Sequence, residues 1–373
     1  RIYCNKIGWE DAFMNQYADG FFLCVPCAGG HYSYYSEFCD ADTAHRIYLF
    51  KGGSDLCTHA FLAPIVREAE KRHLKIEKIY SPHAPTRLEA LALPEQKIYF
   101  LDGNYPRARE AKYPVAVETL VNTDLFFDRD SLRRNASALR LIGKAAAVQQ
   151  RRVMNYLSAA RAVWTDSDLL LTPALDRDKI RRYAARFAAR EFPAPRGEKS
   201  RAANRFLSAI TPRGVFVNEK TIVNTGRVLA IDDSTGTAAS ALLFAMKREA
   251  EQRGLSCTLC RCQLHPADKA EHLLIPQANL AFYTANRYHP APKNAERTIH
   301  MTRFLDRDKT ADCRFRLGFN KKAVRELLNE AIKAQSAAGE LKDMMNAYYE
   351  HALREDDLAE AAEQLCREVM KDC

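Results

Sequence analysis

The spacing of apolar and polar residues changes period several times along this chain. A short apolar run at 47–50 reads as a strand, helical spacing follows over 60–72, and further strand candidates lie at 76–80 and 98–101. From 130 to 164 the spacing is helical again, with Leu132, Leu139, Val148, Val153, Met154 and Leu157 as apolar markers, and 179–190 forms another helix. The chain ends in helices over 321–351 and 357–370. Strands alternating with helices predict an α/β fold, a mostly parallel sheet flanked by helices.

The pattern also repeats at an offset of about 180 residues, and a repeat of that length sets the architecture. Phe22, Leu23 and Gly30 match Phe206, Leu207 and Gly214, while Arg46-Ile-Tyr-Leu-Phe matches Arg227-Val-Leu-Ala-Ile. VREAEKRHL, beginning at Val66, matches KREAEQRGL, beginning at Lys247, with six of nine residues identical. Leu93-Pro94, Phe100 and Asn104 match Ile275-Pro276, Phe282 and Asn286, and Phe126-Phe-Asp-Arg-Asp matches Phe304-Leu-Asp-Arg-Asp. Collinear order is what makes these matches informative, and it predicts a tandem duplication. The expected organisation is an extension over 1–20, a first unit over 21–190 with a helical arm, a linker rich in Pro, Gly and charge over 191–204, and a second unit over 205–373.

In each unit a strand runs into a loop and then a helix, the context of a phosphate-binding loop. There, Gly-x4-Gly-Lys-Ser/Thr wraps phosphate oxygens in backbone N–H groups, the lysine neutralises charge and the hydroxyl binds Mg²⁺. The first loop reads Lys51-Gly-Gly-Ser-Asp-Leu-Cys-Thr-His59, which keeps Gly52 and Gly53 but puts Cys57, Thr58 and His59 where Gly, Lys and Ser/Thr belong. The second reads Asp232-Asp-Ser-Thr-Gly-Thr-Ala-Ala-Ser240, with Gly236 inside it, Ala239 at the lysine position and Ser240 at the hydroxyl position. A β-carbon at Cys57 or Ala238 hinders a positive-φ backbone, and Asp232 and Asp233 bring negative charge towards a polyphosphate. Lys51, just before the glycines, is the remaining cation that could reach a phosphate.

The chain resembles an uncharacterised family of bacterial predicted ATPases built from two P-loop halves, whose loops are similar to KGGPGTGKSS and KGxPGTGKST. The likeness runs from about Phe21 to near the end. It is carried by Phe206-Leu-Ser-Ala-Ile-Thr-Pro-Arg-Gly214, Leu101-Asp-Gly103, Lys112-Tyr-Pro114, Glu271-His-Leu-Leu-Ile-Pro276, and Ala281-Phe-Tyr-Thr-Ala-Asn286 with Tyr288-His289. What it implies is ATP binding and hydrolysis with Mg²⁺, yet this chain departs from the family at the residues that would do so. A pseudo-ATPase acting as a binding or assembly platform is therefore the first expectation. An active ATPase or small-molecule kinase with an atypical loop is the second.

Asp102 ends an apolar strand where a Walker B carboxylate would hold Mg²⁺ through water, and also fits a turn or cap. Glu89 and Glu271 occupy matching positions and could act as general base or water-positioner, with a helix-start acid the plainer reading. Cys24-Val-Pro-Cys27 and Cys257-Thr-Leu-Cys260-Arg-Cys262 have metal-like spacing but fall at non-equivalent places in the repeat, so core cysteines are expected and no metal site is assigned. His59, His83, His265, His272 and His289 match no recognisable catalytic spacing.

The net charge of +9 is concentrated between Arg129 and Arg205, where 18 basic residues face 7 acidic ones. Arg133, Arg134, Arg151, Arg152, Arg181, Arg182, Arg186 and Arg190 in that stretch could grip nucleic acid, or solvate long helices that take a protein partner. Composition is that of an ordinary globular protein, at 47% hydrophobic and 28% charged residues. Eleven scattered cysteines argue against a disulfide framework, and no membrane-length apolar run or signal-like opening is present, so a cytoplasmic protein is expected.

Overall fold

The computed structural model describes residues 19–104, 108–194 and 200–373. The expected extension over 1–20 and the centre of the expected linker thus lie largely outside the described residues.

The first half opens with a hairpin, β1 (Cys24–Cys27) and β2 (Gly30–Ser33), and a short helix α1 (Tyr35–Phe38). The sheet then alternates with a helix: β3 (Arg46–Lys51), α2 (Asp55–Lys71), β4 (Glu77–Tyr80), β5 (Leu88–Leu93), β6 (Ile98–Asp102) and β7 (Glu118–Asn122). Three helices follow, α3 (Arg129–Arg134), α4 (Ala136–Leu171) and α5 (Arg177–Glu191). The second half begins with β8 (Ala202–Arg205), β9 (Ser208–Thr211), β10 (Gly214–Val217) and α6 (Glu219–Thr225). It continues with β11 (Arg227–Asp232), α7 (Thr237–Gln252), β12 (Cys257–Arg261), β13 (Ala270–Ile275), β14 (Leu280–Ala285) and β15 (Ala295–His300). It closes with α8 (Arg307–Asp312), α9 (Arg314–Ala352) and α10 (Glu355–Val369).

The two sheets run in the same order, β4-β5-β6-β3-β7 and β12-β13-β14-β11-β15, the second with β8 added at its edge. Neither is wholly parallel. The central β3 pairs in parallel with β6 and β7, and β11 with β14 and β15, but β5 and β13 run antiparallel to both neighbours. The reason is connection length: only 94–97 join β5 to β6, far too few residues for the crossover a parallel pair needs. The strand at 88–93 has no alternation to betray it, because all six of its residues are buried.

The repeated Asp-Arg-Asp motif turns out to be a helix start. Asp128 accepts hydrogen bonds from the amides of Asp130 and Ser131 at 3.0 and 3.1 Å, and Asp306 does the same for Asp308 and Lys309 at 3.0 and 3.3 Å. Two long antiparallel helices follow, α4 and α9, held by Arg316 on Asp166 and by a shared apolar seam that includes Val153, Leu157, Val324 and Leu328. Because each long helix carries the chain to the opposite end of the molecule, the helix after it covers the other half's sheet. In this way α10 packs on α2 and α5 on α7. Leu358, Leu365 and Val369 of α10 belong to the first sheet's core, and Ile180, Ala184 and Phe187 of α5 to the second's. Segments 21–190 and 205–373 therefore do not close separately; each lends its last helix to the other.

Backbone bonds seal the exchange. Asp128 N donates to Ala352 O and Arg354 N to Phe126 O, both at 2.8 Å; Asp176 N donates to Phe304 O and Asp306 N to Ala174 O at 2.9 and 2.8 Å. Phe22 and Phe206, matched positions of the repeat, bond to each other's backbones at 2.8 and 3.0 Å, as residues beside a two-fold axis do.

Candidate functional site

In the first half, β3 ends at Lys51 and the chain turns through Gly52 and Gly53, whose φ of +90° and +57° only glycine adopts easily. The turn's amides are already satisfied by protein. Gly52 N donates to Asn104 Oδ1 at 2.9 Å, and Gly53 N to Asp124 Oδ1 at 2.7 Å. A β-carbon on Gly52 would lie 2.5 Å from that Asp124 oxygen, so the carboxylate sits where a larger residue could not be tolerated. Lys51 pairs with Glu110. Thr58 is buried, and its Oγ1 finds no partner among the described residues. Asp55, the first residue of α2, bonds Lys342 of α9 at 2.7 Å. Burial pushes its carboxyl up, but Lys342, with Arg87 and His83, more than reverses this and holds it down to about 2.

The second loop is closed more completely. The Asp233 carboxylate turns inward, accepting Thr235 N at 3.0 Å and Thr235 Oγ1 at 2.9 Å on one oxygen and Ala239 N at 2.9 Å on the other. It is an internal anion on the amides a phosphate would use. Gly236 takes φ +69° to start α7. Ser240 Oγ accepts Ala270 N at 3.0 Å and so is committed to β13. Trp164 Nε1 and Lys269 Nζ both donate to the Thr235 carbonyl, at 3.0 and 2.8 Å, and Lys269 also pairs with Asp168 at 2.8 Å. α4 thus clamps the loop from outside.

The residues proposed for chemistry divide. Asp102, buried at the end of β6, accepts the Asn104 amide at 2.9 Å, a turn contact that holds Asn104 against Gly52. Glu89 and Glu271 do not start helices; they lie on β5 and β13. Glu89 is buried and accepts the Tyr35 hydroxyl at 3.0 Å. Glu271 enters a cluster. Its carboxylate lies 3.4 Å from Ser208 Oγ and 3.9 Å from His289 Nε2, and that nitrogen is 2.9 Å from the same hydroxyl. His272 stacks on Tyr283 beside it.

Glu271, His272 and His289 bring potential ligand atoms within 4.8 Å of one another, a metal-like grouping. The hydrogen bonding does not suit a metal. Thr284 N–H donates to His272 Nδ1 at 3.2 Å, so the neutral ring carries its proton on Nε2, the atom a metal would need. Burial, and then His289, push the His272 pKa well below its usual value, keeping the ring neutral. His272 Nε2, His289 Nδ1, the Tyr283 hydroxyl and both amide atoms of Asn218 have no hydrogen-bond partner among the described residues.

The cysteines of both groups are free thiols. Cys24 and Cys27 lie buried in β1, Cys257 and Cys260 in β12 with Cys262 just after it, and burial pushes Cys257 up to about 11. The arginines singled out between 133 and 190 are exposed, but of the rings Tyr156, Trp164, Tyr183 and Phe187 near them, Phe187 is buried and Trp164 carries the Lys269 ammonium over its face. No described helix is long and apolar enough to cross a membrane.

Sequence reading missed Asn104, Asp124, Lys269 and Ser208, all of which act from outside their local motif. One signal was present: Asn104 and Asn286 match in the repeat and each follows its strand, Asn104 bonding Gly52 and Asn286 accepting Tyr288 N and His289 N at 2.8 and 3.1 Å. Searches of protein-family models, of curated proteins and of solved structures find no match to this chain.

Proposed function

We propose that this chain is a tandem P-loop NTPase-like protein whose phosphate loops are closed by its own side chains, and that it serves as a binding or assembly platform without turning over nucleotide. One observation carries the reading: the Asp233 carboxylate accepts the Thr235 and Ala239 amides. A triphosphate would have to displace a bound anion while facing the charge it displaced, with no lysine seated in the loop. The recurrent element order and the resemblance of the loop segments support descent from a duplicated unit.

A second reading, an ATPase or kinase with an atypical loop, is favoured by Lys269, whose ammonium touches the Thr235 carbonyl from a neighbouring element. Lys51, Asp102 and Ser240, which the sequence offers for it, are engaged with Glu110, Asn104 and Ala270. Thermal melting with millimolar Mg-ATP separates the two. The platform reading expects no shift for the wild type and a gain in the double variant Asp233→Gly, Ala239→Lys. Binding at a hundredfold excess over Kd contributes about 2.7 kcal/mol, a rise of several degrees. Such a rise in the wild type, lost in Lys269→Ala, would overturn the platform reading.

A further inference from the structure

The exchanged helices α5 and α10 occupy equivalent places, each packed on the helix that follows the central strand of the opposite half, α7 and α2 respectively. Their charges are opposite. α5 carries six basic residues against two acidic, and α10 six acidic against one basic. Both helices have 15 residues, and the charges lie on their exposed faces. Arg177, Arg182 and Arg186 have no ion-pair partner among the described residues, and neither do Glu355, Asp356 and Glu360.

Between α5 and α7 runs an open groove of about 550 Å³. Its rim holds Arg177, Arg182 and Arg248, and its floor holds Ala184, Ala241 and the partly exposed Phe244. Small floor residues let a helix approach closely, and the arginine rim selects for acid along that helix. The acidic face of α10 has such a composition, with Ala359 between Asp356 and Glu360.

We propose that copies of this chain associate head to tail, the acidic α10 face of one seated in the arginine-rimmed α5–α7 groove of the next. Because the donor and acceptor faces differ, the contact is heterologous, and each copy retains one free end of each kind; the product is an open chain or a ring. This deepens the reading as an assembly platform by naming its partner. Nucleic acid would meet the same arginines, but Phe244 is the groove's one aromatic ring, whereas stacking platforms line up several.

Sedimentation velocity on the full chain tests this, at low salt of about 50 mM and high salt of about 500 mM, where the Debye length falls to a few ångströms. Association that grows with concentration and is weakened about tenfold or more by salt is expected. Two charge-reversed variants should each be monomeric: Arg177→Glu with Arg182→Glu and Arg186→Glu, and Glu355→Lys with Asp356→Lys and Glu360→Lys. Mixed in equal amounts, they should associate again, since each then meets its complement. All six positions are exposed, so circular dichroism should match the wild type, while melting should fall slightly in the α10 variant because Glu355 and Asp356 lie in that helix's first turn. A wild type monomeric at both salts, or association surviving both reversals, would overturn the proposal. So would an α5 variant that loses affinity for a labelled oligonucleotide while self-association stays unchanged, which would assign the face to nucleic acid. Melting with Mg-ATP reads the closed loops separately, so either idea can fail without the other.

Discussion

The two sheets share strand order and helices, yet the faces beneath their hairpins differ in chemistry. In the first half Ala90 pairs with Leu101 across β5 and β6, and in the second His272 pairs with Tyr283 across β13 and β14. Cys24 on one hairpin corresponds to Ser208 on the other. The same scaffold thus buries hydrocarbon and a thiol in one place and an imidazole, a phenol and a hydroxyl in the other. Hydrocarbon burial stabilises by about 25 cal/mol per Å², whereas a buried polar atom without a partner costs roughly 1–3 kcal/mol. The first half should therefore hold most of the reserve of stability, provided its borrowed helix stays in place.

That proviso gives the largest predicted effect. Ending the chain after Leu353 removes α10 and Met370 after it, taking Leu358, Leu365, Val369 and Met370 out of the first half's core. Each such side chain contributes about 1.5–3 kcal/mol on burial, and the sum approaches the whole stability of a typical domain. Hydrogen exchange should show β3 to β7 losing protection although every residue of that sheet is intact, while β11 to β15, covered by α5, stays protected. Loss of protection in the second sheet instead would mean the helices are not exchanged.

Acid reverses the order. Burial pushes His59 down to about 4, His265 down to about 4, and His272 well below its usual range. A histidine whose folded pKa is depressed stays neutral when folded but takes up a proton when unfolded, so its contribution is intact above the unfolded value near 6.5 and is lost as pH falls towards the folded one. Each such group costs about 1.4 kcal/mol per pH unit across that interval. Two of the three lie in the second half, which should open before the first as pH drops from about 6.5 to 4. Replacing His272 with Gln should flatten the slope of unfolding free energy by about one group; an unchanged slope would show that the ring titrates normally.

How far the sequence discloses this follows from which interactions are local. The strand at Arg46–Lys51 and the helices after residue 128 are legible because burial on a strand and capping by Asp128 act within a few residues. The exchange of α5 and α10 is not legible, since periodicity says that Leu358, Leu365 and Val369 share a face but not which sheet they meet. The pairing of His272 with His289 is hidden similarly, as β14 runs between them in the chain before the fold brings their rings to 5.1 Å. Asp233 was visible as a charge hostile to phosphate; that it would turn inward and accept the loop's amides depended on a backbone path composition does not reveal.

The two closed loops should also differ in what their carboxylates contribute. Asp233→Ala leaves two buried amides and a hydroxyl without their acceptor, a cost of about 2–3 kcal/mol. Asp124 is exposed, and water can replace it at the Gly53 amide, so Asp124→Ala should cost under about 1 kcal/mol. Denaturant melts of the two variants measure the difference directly. Equal losses would mean that the second loop is no more enclosed than the first.

The smallest effect belongs to a surface group with three charged bonds. Arg227 at the start of β11 makes a two-pronged contact with Glu296 at 2.7 and 2.9 Å and a third bond to Glu191 at 3.1 Å, tying β15 and the end of α5 to the central strand. On geometry alone it looks like a strong anchor for the exchanged helix. Its side chain is 42% exposed, however, so solvent and salt screen all three bonds, and such pairs contribute about 0–1 kcal/mol. Arg227→Ala should therefore lower stability by less than about 1 kcal/mol at low salt and by less still at high salt. If instead it releases α5, seen as lost protection over residues 177–191, the exchange rests on this ion-pair network rather than on the apolar contacts of Ile180, Ala184 and Phe187.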